Sequence, residues 1–177
     1  MKKLFLSTGA VLVVVAVILF AILRGHSEPP VPGSALTGLD FSAIARTGGT
    51  RVLLAMKISR LERVLGRPSS EKGLTAYSGG ASPVTELDYP SLNIVYENAG
   101  KTVIAIELLD RTYMTARGLT VGASEPAVIR EYGTPAYRTD ATLSYLLTNS
   151  NGLEQRELVF TVTDGMVKTI WIAVPTP

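Results

Sequence analysis

The sequence predicts an α+β fold made of two tandem helix-plus-antiparallel-sheet repeats after an N-terminal transmembrane helix. Three observations lead to this fold class. Residues 4–23 form an uncharged apolar run, residues 51–68 align without a gap on residues 118–135, and strand-like alternation follows each aligned stretch. Runs of strands that follow single helices are typical of α+β folds, in which helices pack on one face of a continuous antiparallel sheet.

The apolar run "LFLSTGAVLVVVAVILFAIL" is long enough to cross a membrane. Its 20 residues would form a helix of about 30 Å, which matches the hydrocarbon thickness of a bilayer. Lys2 and Lys3 precede it and a lone Arg24 follows it, so the positive-inside rule places the N-terminus in the cytoplasm. A cleaved signal peptide, followed by secretion, is the alternative, but no Ala-x-Ala-like cleavage site ends the run. We therefore predict a single-pass anchor in residues 1–24 and an extracytoplasmic remainder.

A spacer is predicted between the anchor and the domain. Residues 25–38 contain three prolines and three glycines and show no apolar periodicity, which is the composition of a linker. Phe41 and Ile44 lie three positions apart and predict one or two helical turns within residues 39–46, before Gly48 and Gly49 break the pattern. The predicted Pro/Gly-rich tether covers residues 25–50.

The predicted domain covers residues 51–177, with repeat one at about 51–117 and repeat two at about 118–177. "RVLLAMKISRLERVLGRP" aligns on "GLTVGASEPAVIREYGTP", and the matching apolar pairs are Val52 with Leu119, Leu54 with Val121, Leu61 with Val128 and Leu65 with Tyr132. Each stretch predicts a helix that a glycine ends and that a proline two residues later prevents from resuming. The helices are expected at about 57–65 and from an N-cap at Ser124 to Gly133.

Two hairpins are predicted after the helices. Segments 92–97 and 102–109 flank "NAGK", and segments 157–162 and 166–174 flank "TDG", whose Asp-Gly favours a tight turn. A further strand is predicted before each hairpin, near residues 84–89 and 142–147.

Composition and charge exclude several functions. The chain has no cysteine, which excludes disulfides, thiolate metal sites, a cysteine nucleophile and a lipid-modified cysteine. Beyond Lys2 and Lys3, 17 − 2 = 15 basic residues face 15 acidic ones, so the exported part is formally neutral. Nucleic-acid binding depends on a concentrated basic surface, and we predict no nucleic-acid partner.

The sequence predicts no catalytic residues, no cofactor and no metal site. His26, the single histidine, lies in the predicted tether, so Ser–His and multi-histidine sites are excluded from the domain. "SSEK" at 69–72 lacks the companion motifs of acyl-enzyme serine proteins, and "GKT" at 100–102 lacks the first glycine of a phosphate-binding loop. Glu86 and Asp88 would project from one strand face, which keeps a carboxylate-dependent hydrolase as the least favoured alternative.

Two groups of side chains form the candidate interaction surface. Arg60, Arg63 and Arg67 recur at helical spacing and would contact anionic headgroups or an acidic partner, although a solvated helix face is the simpler interpretation. Tyr89, Tyr96, Tyr145 and Trp171 lie in predicted strands, where they would form either an interface or the core. The predicted function is non-catalytic binding of an envelope protein, and the alternative is binding of a small ligand or cell-wall fragment.

The second unit also resembles a known module. It is similar to the SmpA/OmlA-type lipoproteins of the outer-membrane β-barrel assembly machine and to β-lactamase inhibitor protein, itself a tandem of two units. The matching residues are Gly122, Val128, Gly133, Pro135, Tyr145, Phe160, Gly165, Val167 and Ile170, and the resemblance covers about residues 51–174. It implies an exported, non-catalytic binding module. The chain departs from both groups because it has neither the lipid-bearing cysteine nor the disulfides.

Overall fold

Strands dominate the part of the chain that the structure describes. The structure is a computed structural model, and it describes residue 36 and residues 40–74, 83–148 and 155–174. Within these ranges the elements are β1 (Ser42–Ala45), β2 (Arg51–Leu53), α1 (Ile58–Leu65), β3 (Ser70–Leu74), β4 (Val84–Asp88), β5 (Leu92–Glu97), β6 (Thr102–Leu108), β7 (Tyr113–Thr115), α2 (Glu125–Tyr132), β8 (Tyr137–Arg138), β9 (Thr142–Thr148), β10 (Gln155–Thr163) and β11 (Met166–Ala173).

Eight of the strands form one antiparallel sheet in the order β3-β4-β5-β6-β11-β10-β9-β8. Its centre is the pairing of β6 with β11, in which Ile106 lies opposite Ile172. The four strands on each side of this junction follow one helix in the chain. A separate sheet has the order β2-β1-β7.

The predicted fold class is wrong. The described chain is mainly antiparallel sheet with two helices of eight residues each, rather than two helix-plus-sheet repeats after a transmembrane helix. The error arises because edge strand β3 consists of exposed residues with no apolar alternation and because the small sheet was not predicted. The membrane span predicted at residues 4–23 lies outside the described residues, and neither described helix is long and apolar enough to cross a bilayer.

The short helix predicted within residues 39–46 is also wrong. Ser42–Ala45 is a strand, and Ala43 lies opposite both Val52 of β2 and Thr115 of β7. Ala43 and Phe41 are buried. The segment can be buried as a strand because its backbone groups form hydrogen bonds with strands on both sides. Tertiary pairing therefore overrides the weak helical spacing of Phe41 and Ile44.

The main core lies on one face of the large sheet, which we call the first face. Both helices and the small sheet contribute to it through Leu61, Val128, Phe41 and Val52, and sheet residues such as Ile94 and Phe160 complete it. Side chains at the alternate strand positions lie on the opposite face, which we call the second face. A smaller apolar cluster occupies that face, and its buried members are Val95, Ala105, Val159, Trp171 and Ala173.

Each helix begins beside the hairpin that closes its half of the sheet. The amide of Ile58 donates to the carbonyl of Lys101 over 3.0 Å, and the amide of Glu125 donates to the carbonyl of Gly165 over 2.9 Å. The Ser124 side chain accepts a hydrogen bond from the amide of Ala127, as the N-cap prediction requires. These hydrogen bonds hold the first residue of each helix against the turn of its hairpin.

Each helix ends in a glycine with positive φ, as predicted. Gly66 has φ of 81° and Gly133 has φ of 77°, a region in which a Cβ atom would be strained. A tyrosine hydroxyl donates to the carbonyl of each glycine: Tyr89 to Gly66 over 3.3 Å and Tyr145 to Gly133 over 3.0 Å. The tyrosines thus satisfy carbonyls that the helix leaves without an intrahelical partner.

Candidate functional site

The outer side of α1 carries two of the predicted arginines, and the third lies just after the end of the helix. Leu61 points into the core, whereas Arg60, Arg63 and Arg67 are exposed and Val64 is 42% exposed beside them. Residues three and four positions apart lie on the same side of a helix, which groups Arg60, Arg63 and Val64. Arg67 is the first residue after Gly66, which ends the helix, and it is also exposed. We call the surface formed by Arg60, Arg63, Val64 and Arg67 the basic face.

The arginines of the basic face form no salt bridge with a carboxylate among the described residues. The ion pairs in the described ranges join Arg117 to Asp40, Arg130 to Glu131 and Arg138 to Glu125. Two of these pairs neutralise the surface around α2.

The charge difference between the two helices extends to their surroundings. Residues 57–72 contain five basic and two acidic side chains, a net charge of 5 − 2 = +3. Residues 124–139, the equivalent stretch at α2, contain two of each and are neutral. Unpaired positive charge is therefore concentrated on one helix, where it can attract an anionic partner.

The predicted aromatic residues do not join the arginines in one exposed surface. Tyr89, Tyr96 and Tyr145 are buried in the main core on the first face, and Trp171 is buried on the second face. The Tyr96 hydroxyl donates to Glu71 over 3.1 Å, and the Lys101 ammonium lies 5.2 Å from the centre of the Tyr96 ring. These tyrosines stabilise the interior, and only the arginines present an exposed surface.

Two buried glutamates flank Trp171 on the second face. Trp171 lies directly opposite Glu107 of β6 and Val159 of β10, and Glu157 lies opposite Ala173, two residues further along β11. Glu107 is 4% exposed and Glu157 is 3% exposed. We call Glu107, Trp171 and Glu157 the Glu–Trp cluster.

Burial alters the acidity of both glutamates. Desolvation raises the pKa of Glu157 to about 7, although a hydrogen bond with Ser144 acts in the opposite direction. Desolvation also raises the pKa of Glu107; the Asn93 amide, which donates to Glu107 over 3.0 Å, lowers it, and the nearby Glu86 raises it. Neither glutamate was predicted as a site residue from the sequence. The available signal was β10 itself, where Leu158, Val159 and Phe160 are consecutive apolar residues, a pattern typical of a strand buried on both faces.

The carboxylate pair considered for hydrolysis also lies on the second face, at β4. Glu86 and Asp88 are both half-buried; desolvation and then the charge of Asp88 raise the pKa of Glu86. "SSEK" leads into edge strand β3, where the Ser70 hydroxyl contacts Asp88, and "GKT" ends the turn and begins β6 at Thr102. The described residues contain no group of three or more acidic, histidine or cysteine side chains that could hold a metal ion. His26 lies outside the described residues.

One further polar group joins the start of the domain to α2. Arg117 donates through Nε to Asp40 over 2.7 Å and through Nη1 to the carbonyl of Glu131 over 2.6 Å. Its guanidinium lies 4.8 Å from the centre of the Tyr132 ring. Asp40 and Arg117 are 77 residues apart, and no local sequence pattern indicates their contact.

The comparisons with known proteins do not assign this site. No family model, no curated protein and no solved structure matches the chain. The resemblance to the SmpA/OmlA-type lipoproteins and to β-lactamase inhibitor protein stays a prediction.

Proposed function

We propose that the protein is a membrane-anchored extracytoplasmic binding module that contacts an acidic surface of an envelope protein through its basic face. The anchor in this proposal is the apolar run at residues 4–23, and its orientation follows from Lys2 and Lys3. The observation that supports the contact surface is the exposure of three arginines with no carboxylate partner among the described residues.

The chemistry of the basic face suits a protein partner. Arginine is enriched at protein interfaces because its planar guanidinium donates two parallel hydrogen bonds to a carboxylate. Val64, exposed between Arg60 and Arg63, adds apolar surface that contact with a partner would remove from water. An exposed ion pair contributes about 0.2–1 kcal/mol, so three such pairs would change the affinity by about three- to 150-fold.

Site-specific crosslinking in native membranes tests the proposal. One variant of the full chain carries a photo-crosslinking amino acid in place of Val64. A second variant carries it at residue 130, an exposed position on α2. We expect a discrete protein adduct from position 64, weakened by added salt, and no equivalent adduct from position 130. The captured protein should present an acidic surface at the crosslinked peptide.

Charge variants decide whether the arginines carry the contact. The triple substitution Arg60→Gln, Arg63→Gln and Arg67→Gln should abolish the adduct from position 64 while leaving the circular dichroism spectrum unchanged, because these side chains lie in solvent. An adduct that persists in the triple variant, or that forms equally from position 130, would contradict the proposal. If only lipid adducts form, the basic face contacts the membrane surface and not a protein partner.

A further inference from the structure

The small sheet presents a second basic surface on the side away from the core. Ala43 of β1 and its two neighbours across the small sheet are fully buried on the inner side. On the outer side, Ile44 lies opposite Arg51 of β2 and Met114 of β7, and both apolar side chains are partly exposed. Arg46, which follows β1, lies on the same side as Ile44 because alternate strand residues share a face.

A third arginine comes from the loop before β7. The amide of Arg46 donates to the carbonyl of Thr112 over 3.0 Å, and its Nη1 donates to the carbonyl of Arg111 over 3.4 Å, so Arg111 lies beside the end of β1. Arg46, Arg51 and Arg111 are all exposed and form no ion pair with a described carboxylate. We call these three residues the arginine cluster.

The small sheet and its connections carry a positive charge. Residues 40–53 and 109–117 contain four basic and two acidic side chains, a net charge of 4 − 2 = +2. Arg117 pairs with Asp40, which leaves Asp110 as the one carboxylate in these ranges against the arginine cluster. Like charges grouped on one sheet face repel one another, so the stability of the sheet does not explain this grouping.

The predicted anchor joins the domain at the small sheet. This step rests on the proposed function, because it takes residues 4–23 as the membrane span. Fifteen residues separate Arg24 from Asp40, and even fully extended they span at most about 55 Å. Arg46 is four residues after Ser42, the first residue of β1, and thus about 14 Å along the strand. The small sheet is therefore among the parts of the domain held closest to the bilayer.

We propose that the arginine cluster binds the headgroups of anionic phospholipids in the membrane that holds the anchor. A guanidinium group donates two parallel hydrogen bonds to a phosphate group. Ile44 and Met114, partly exposed beside the arginines, contact the apolar boundary below the headgroups. Each arginine near an anionic surface raises the ratio of bound to free domains by about fivefold, so three raise it by about 100-fold. The tether keeps this surface within reach, which favours lipid over an acidic protein.

A single fluorescent label on the turn between β1 and β2 measures the contact. The chain has no cysteine, so Thr47→Cys, at an exposed position beside Arg46, carries an environment-sensitive fluorophore at one site. The labelled full chain is reconstituted in vesicles of phosphatidylcholine alone or of an equal mixture with phosphatidylglycerol. We expect a blue-shifted emission in the mixture only, reversed by high salt. Ala141→Cys, in the exposed turn between β8 and β9, is the control label and should show no such difference.

Charge variants assign the contact to the arginine cluster. The triple substitution Arg46→Gln, Arg51→Gln and Arg111→Gln should lower the ratio of bound to free domains by about 100-fold and so remove the blue shift. The triple glutamine variant of the basic face is the matched control and should keep the blue shift, because its arginines lie on α1 and just after it. The comparison of the two vesicle compositions needs no charge variant, so it stands even if one of these variants does not fold.

Flotation of the vesicles in high salt separates failure of the anchor from failure of the membrane contact. A chain that floats with neither vesicle type would refute the anchor of the proposed function, and the membrane contact with it. A chain that floats with both but emits equally in both would refute the membrane contact alone. Loss of the blue shift in the basic-face variant but not in the arginine-cluster variant would also overturn it. A response in native membranes but not in protein-free anionic vesicles would assign the surface to an acidic protein instead.

Discussion

Replacing Arg117 breaks its ion pair with Asp40, and this should destabilise the fold more than breaking either of the other ion pairs of the described residues. Arg117→Met removes the contact with Asp40, the hydrogen bond to the carbonyl of Glu131 and the contact with the Tyr132 ring. It leaves the Asp40 carboxylate, whose side chain is 6% exposed, without its guanidinium. Removing one partner of a buried pair costs about 3–5 kcal/mol, and the partial exposure of Arg117 favours the lower end, about 3 kcal/mol.

Urea unfolding of the full chain in a non-ionic detergent, followed by circular dichroism, measures this loss. A decrease of about 3 kcal/mol corresponds to a melting temperature about 6–12 °C lower for a chain of this size. Arg138→Met is the matched control, because it breaks an exposed pair with Glu125 and should cost less than about 1 kcal/mol. Adding Asp40→Asn to Arg117→Met should recover part of the stability, since the amide carries no charge that depends on the guanidinium. Equal losses for Arg117→Met and Arg138→Met would refute the reasoning.

Three further changes follow from local geometry and are all measured by chemical unfolding. Ala55 has φ of 61°, so Ala55→Gly should stabilise the fold by about 0.5–1 kcal/mol, whereas Gly122→Ala, at φ of 84°, should destabilise it by at least as much. A loss of stability in Ala55→Gly or a gain in Gly122→Ala would contradict this. Tyr145→Phe leaves the carbonyl of Gly133 without its hydroxyl donor and should cost about 1 kcal/mol, and no loss would show that water replaces the hydroxyl. The pKa of Glu157 rises from 4.5 to about 7 on folding, so protonation favours the folded state and the free energy of unfolding should fall by about 3 kcal/mol as pH rises from 4.5 to 8. Glu157→Gln should flatten this dependence, and an unchanged slope would show that other groups cause it.

The helix ends could be predicted from the sequence because their determinants are local. Gly66 and Gly133 adopt positive φ as expected, and Ser124 caps α2 through its own side chain. The alternating apolar residues of β5 likewise predict a strand without any knowledge of its partners. Local backbone preference and side-chain periodicity are sufficient for these elements.

The missed elements depend on pairing that no local pattern encodes. Strand β3 is polar and exposed because it lies at the sheet edge, and β1 becomes a strand only through its partners on both sides. Burial of a charged residue is equally non-local: Glu107 and Glu157 occupy strand positions that sequence reasoning assigns to solvent. The arginines of the basic face and Trp171 were identified, whereas the two glutamates of the Glu–Trp cluster were not, because the burial of a charged strand residue depends on the assembled sheet.

A comparison of the two helix–hairpin junctions separates structural residues from candidate binding residues. The backbone bonds correspond closely: Val103 donates to the carbonyl of Met56 over 2.9 Å, and Val167 donates to the carbonyl of Ala123 over 2.8 Å. Side chains with equivalent roles at both junctions, such as the tyrosines that cap the glycine carbonyls, are explained by stability. The charge on the outer side of the helices differs, with a net charge of 5 − 2 = +3 over residues 57–72 and of 2 − 2 = 0 over residues 124–139. The exposed arginines of α1 make no ion pair with a described carboxylate, so they add little to stability, and this asymmetry agrees with the proposed contact with an acidic partner.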